Sequence, residues 1–101
     1  MAKSLHLIEM DFKNAIRQAE NLERIAKEIE TLLNNQFDSC MNIVSANWRG
    51  ENASSYIGKG KIVREDICRE AKKIRDTAAV VREIARRLYE AEMRAYRLAH
   101  K

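Results

Sequence analysis

Apolar positions in the first half of the chain step by three and four: Leu5, Ile8, Phe12, Ala15, Ala19, Leu22, Ala26, Ile29 and Leu33. This is the heptad seam of a helix that buries one face on a neighbour. Ile16, Ile25 and Leu32 widen the stripe, so more than one neighbour must cover it. Ser4 is placed to cap the helix start. The pattern runs on through Phe37, Cys40, Met41 and Val44, and predicts a first helix over about 4–44. Asn34 and Asn35 are weak helix formers within it, but neither is a breaker. The periodicity stops over 45–52, at Ser45-Ala46-Asn47-Trp48-Arg49-Gly50 and the two residues beyond. Gly50 can take a positive φ and release the chain, and Glu51 and Asn52 offer groups suited to a new helix start. A second stripe follows through Ala53, Tyr56, Ile57, Val63, Ile67, Ala71, Ile74, Ala78, Val81, Ala85 and Leu88. It predicts a second helix over about 53–97, with a stutter between 67 and 71 that relaxes any supercoil. Gly58 and Gly60 fall in its first turns and mark a loose start, a kink or a close approach of another backbone.

Two helices of about 40 residues, each about 60 Å long, joined by a short turn make an antiparallel hairpin. The expected fold class is therefore all-α, a single hairpin domain over residues 1–101. A hairpin has no closed interior, and both stripes are broader than one seam, with Val80 and Ile84 beside the second. This predicts dimerisation into a four-helix bundle. The interface is expected to use Leu5, Ile8, Phe12, Leu22, Ile25, Ile29 and Leu32 of the first helix and Ile67, Ile74, Val81 and Leu88 of the second.

Composition narrows the function classes. Charged residues make up 34%, only six residues are aromatic and there is no proline, which favours long helices over β-sandwiches. No apolar run approaches the ~20 residues of a membrane span. The N-terminal residues lack the apolar core of a secretory leader, so synthesis in the cytoplasm is expected. The net charge of +4 is uneven: residues 1–47 carry five basic and seven acidic side chains, residues 48–101 fourteen and eight. Arg82, Arg86, Arg87, Arg94 and Arg97 supply the basic bias, but Glu83, Glu90 and Glu92 interrupt it. Weak nucleic-acid binding is thus a minor alternative, and no nucleic-acid partner is expected. Cys40 and Cys68 form no CxxC pair and have no His at ligand spacing. Folding back near residue 49 leaves them about 15 Å apart, beyond disulfide reach, so both read as small apolar packing residues. His6 and His100 have no nucleophile or orienting acid beside them. No enzymatic activity, metal or cofactor is expected.

The only Trp of the chain stands with a Gly at its midpoint, as Trp48-Arg49-Gly50. Trp48 fits two compatible roles, an apolar plug at the hairpin's open end and a partly exposed recognition residue. A central W-x-G between two proline-free amphipathic helices, over about 100 residues, resembles the WXG-100 family of small type VII secretion proteins. Ala53 and Tyr56 fit the small-then-aromatic spacing common after that family's bend. The resemblance implies a head-to-tail homodimer or heterodimer, exported folded and without a cleavable signal peptide by a membrane ATPase, in virulence or interbacterial competition. It also implies an export signal composed of W-x-G from one chain and Tyr-x-x-x-Asp/Glu from its partner. Trp48 and Gly50 supply the first half. The tail departs from the pattern: Tyr89 is followed by Met93 and Tyr96 by His100 at the fourth position. Glu92, three residues after Tyr89, offers a degenerate signal on the same helix face. The implied partner is the chain itself or a paralogous WXG-type chain; a chain without the tail half would depend on a different chain to supply it, and a larger LXG-type toxin also fits that role. The alternative is a helical adaptor of such a toxin that stays in the cytoplasm.

Overall fold

The computed structural model describes residues 3–100, and it is helical nearly throughout. Helix α1 spans Leu5–Leu32, a π-helical turn spans Leu33–Phe37, α2 spans Asp38–Asn47 and α3 spans Glu51–Ala99. There are no strands among the described residues. The chain divides into two compact units. Unit one joins the residues up to Glu23 to those from Arg75 onward, and unit two is Arg24–Ile74.

Local chemistry sets the helix ends. The Leu7 N–H donates to Ser4 Oγ at 3.2 Å and the Ile8 N–H to the Ser4 carbonyl at 3.1 Å, so Ser4 caps α1 as its sequence position predicts. At the end of α2, Trp48 leaves the helix in an extended conformation while its N–H still donates to the Val44 carbonyl. The Asn47 side-chain amide covers the Ile43 carbonyl at 2.8 Å. Gly50 follows at φ 96°, a left-handed conformation that strains any L side chain. The Ser54 N–H then donates to the Gly50 carbonyl and opens α3. Glu51 stands in the first turn, where its carboxylate suits the helix's positive end. Helix therefore resumes after only Trp48, Arg49 and Gly50.

The first helix is not continuous. Its ladder slips at Leu33–Phe37, where the Asp38 N–H bonds back to Leu33 across five residues. Asn34 and Asn35, both weak helix formers, occupy the turn together with Gln36.

In both units the core is narrow and built largely of alanine. In unit one, Ile8, Ala19, Ala78 and Ala85 are buried; in unit two, Ala26, Leu33, Val44, Ala53 and Ala71. Ala19 and Ala26 of α1 and Leu33 of the π-helical turn repeat every seven residues, as do Ala71, Ala78 and Ala85 along α3. Small side chains at the contact bring helix axes to the near end of the 8–10 Å range. The partners run antiparallel within each unit. In unit one, Phe12 meets Tyr89 and Glu23 meets Arg82. In unit two, Asp38 meets Arg64 and Trp48 meets Tyr56. Gly60 marks a close approach: a methyl there would stand 2.5 Å from Met41 Cε. Gly58 faces open space.

Candidate functional site

The corner in unit two presents an aromatic pair. Trp48 and Tyr56 stack obliquely, with ring centroids 5.5 Å apart and planes at 50°. Both stay about half exposed, Trp48 at 53% and Tyr56 at 49%. Trp48 covers a neighbouring ring and keeps an open face. Val63, two turns beyond Tyr56 on the same side of α3, is also exposed, as are Ile43 and Ile62.

Behind the corner, Arg64 ties α3 to both ends of the π-helical turn. Its Nε donates to Asp38 Oδ1 at 2.8 Å, and its Nη2 donates to Asp38 Oδ2 at 3.0 Å and Asn34 Oδ1 at 2.8 Å. The bidentate contact holds the Asp38 carboxyl below the usual range and raises the Arg64 guanidinium. Arg64 Nη1 also lies 3.5 Å from Cys68 Sγ. Cys68 is half-buried and Cys40 is exposed, and both are free thiols. The expectation that Cys40 packs inside therefore fails: the slip at the π-helical turn precedes it and leaves Val44 as the inward residue. An open cleft of about 480 Å³ runs beside this cluster, lined by Phe37, Met41, Ile57, Lys61 and Arg64 among others. No group of three or more His, Cys, Asp or Glu among the described residues is placed to hold a metal ion.

In unit one, Tyr89 and Glu92 are engaged within the chain. The Tyr89 ring lies 4.8 Å from Phe12. Lys3 Nζ donates to Asp11 Oδ2 at 2.8 Å and to Glu92 Oε1 at 3.1 Å, and only 17% of the Glu92 side chain remains exposed. These hydrogen bonds, to Asp11 first and then Glu92, raise the Lys3 ammonium. The arginine-rich face is likewise paired. Arg82 binds Glu23 at 2.6 Å, Arg86 binds both Glu83 and Glu90, and Arg87 binds Glu83. The Arg82 contact lowers the Glu23 carboxyl, and Arg86 followed by Arg87 lowers that of Glu83. Arg86 and Arg87 pair within their own helix, where exposed ion pairs contribute little stability.

The expected interface residues divide into three groups. Ile8 is taken up entirely inside its own unit and offers no surface. Leu5, Phe12, Leu22, Ile29, Ile67, Ile74 and Val81 are half-buried at the seam. Ile25, Leu32 and Leu88 are exposed. The named interface omits other exposed apolar positions, among them Val80, Ile84 and Leu98 in unit one and Ile43, Ile62 and Val63 in unit two. Four-residue steps back from Leu88 identify Ile84 and Val80 in the sequence, because that row stays apolar on the outer side of the seam.

Comparison with protein-family models, curated proteins and solved structures returns no match in any of the three.

Proposed function

We propose that this chain is a WXG-100-like helical hairpin of a type VII secretion system, exported folded as one half of a four-helix bundle. The observation that carries the reading is the corner. Trp48-Arg49-Gly50 is the whole break between α2 and α3, Gly50 holds the left-handed turn, and Trp48 keeps half its surface open. A ring held on Tyr56 yet open to solvent suits recognition by another protein. The exposed apolar rows give a second hairpin something to cover.

The export ATPase and the second hairpin are the expected partners, and the route runs from the cytoplasm outward. The in-chain contacts of Tyr89 and Glu92 favour a co-secreted partner over an autonomous substrate, because these side chains are committed to Phe12 and Lys3. The tail half of the signal then comes from the other chain, a paralogous hairpin or a larger toxin.

Trp48→Ala tests the reading. Export into the medium is expected to fall at least ~10-fold, as for loss of an aromatic anchor worth more than about 1.4 kcal/mol. Helicity by far-ultraviolet circular dichroism should stay at the wild-type level. Full export of a folded Trp48→Ala chain would remove the corner from the signal.

A further inference from the structure

At the turn Leu33–Phe37, apolar spacing and structure assign different inward residues to the helix that follows. Leu33 to Cys40 is seven residues and Leu33 to Val44 eleven, close to two and three turns of a 3.6-residue helix. A continuous α-helix would therefore carry Leu33, Phe37, Cys40 and Val44 along the seam. The π-helical turn absorbs one residue, and Met41 takes the place of Cys40. Cys40 is exposed, whereas Asp38 and Met41 are half-buried.

Two features of α3 match the π register. Gly60 has no side chain, and Met41 fills the space: a methyl there would stand 2.9 Å from Met41 Sδ. Arg64 donates twice to Asp38 and once to Asn34, so one guanidinium spans the turn. In a continuous helix Asp38 would stand about 100° further round the axis, turned away from α3 and from Arg64. The turn itself, Leu33-Asn34-Asn35-Gln36-Phe37, has no proline or glycine to break an α-helical ladder. Tertiary contact, more than local preference, holds it wide.

We propose that Arg64 is the lock of a two-register switch in unit two. With Asp38 and Asn34 bound, residues 33–44 keep the π-helical turn and Met41 faces Gly60. With the lock open, the segment closes into a continuous α-helix and Cys40 takes the seam. The Arg64 and Asp38 side chains are 35% and 38% exposed, so the lock can be released from solvent. Because α2 ends on Trp48, the register also sets how the corner is presented. A one-residue change turns α2 by about 100° and draws Trp48 off Tyr56. The switch thus acts on the corner that carries the secretion reading, but its test uses the purified chain and does not depend on export.

Cys40 is the probe, in a Cys68→Ala background that leaves one thiol. Its rate of reaction with an aromatic disulfide reagent is measured, and there it should react as an exposed thiol. Arg64→Leu should slow the reaction roughly tenfold or more, because a packed thiol reacts only when its site opens. Helicity should hold, and the emission of Trp48, the chain's only Trp, should shift as it leaves Tyr56. Asp38→Ala opens the same lock from the other side and should give the same result, even where Arg64→Leu fails to fold. Deletion of Asn35 separates register from general weakening. It removes the residue that the wide turn absorbs, so Met41 stays inward in a regular helix and Cys40 stays exposed. Arg64→Leu in that background should leave Cys40 fast. Fast Cys40 in both lock variants, equal slowing in the deletion background, or an unmoved Trp48 emission would overturn the proposal.

Discussion

Ala78→Leu should destabilise the fold by about 1–3 kcal/mol, the cost of forcing extra methylenes into a filled site. Ala78 is wholly buried in unit one, as is Ala19, and the helices there meet through alanine instead of through large side chains. A leucine must push the axes apart or twist off its rotamer, and either response loosens the alanine seam around it. The expected fall in melting temperature is roughly 4–8 °C per kcal/mol for a domain of this size, compared at one protein concentration. Ala79→Leu is the control. Ala79 is exposed one residue further along, so the same added volume should change stability by less than about 0.5 kcal/mol. Equal melting of the two variants would mean that the alanine seam is not the contact that holds unit one.

The second large effect falls on association. Ile84→Asp with Leu88→Asp places two charges at the centre of the exposed apolar row of α3. Burying an unpaired carboxylate is costly, and loss of a central contact alone is worth about 2 kcal/mol, so pairing should weaken at least ~30-fold. Sedimentation of the double variant beside wild type measures it. Helicity should hold, because neither residue fills the buried seam. Ala79→Asp, at an exposed position off the row, should leave pairing intact. Unchanged pairing of the double variant would move the docking face elsewhere.

The two long helices were legible because their apolar spacing is regular and proline is absent. Gly50 was legible as the turn because few other residues tolerate its φ of 96°. The π-helical turn was not, since one added residue per turn barely disturbs a three-and-four pattern, and Phe37 and Met41 continue to read as stripe. The exposure of Cys40 follows from the same slip and was hidden with it. The Arg64–Asp38–Asn34 cluster joins residues 26 and 30 positions apart, and single-sequence periodicity carries no information on such pairs. The arginine-rich face was better defined. Alternation of Arg with Glu at three and four residues predicts in-helix pairing, and Arg86 binds Glu83 and Glu90 in that manner. What the spacing hides is that Arg94 has no carboxylate partner among the described residues. Tyr89 and Glu92 share a face in the sequence, but only the contacts with Phe12 and Lys3 reveal that the chain itself engages them.

The most direct test is where the protein goes. Culture medium and lysate should be compared for this chain in a host with an intact type VII secretion system and in the same host lacking the system's membrane ATPase. The secretion reading predicts full-length, unprocessed protein in the medium of the first strain and its retention in cells of the second. Protein confined to cells in both strains, or released equally by both, would contradict it.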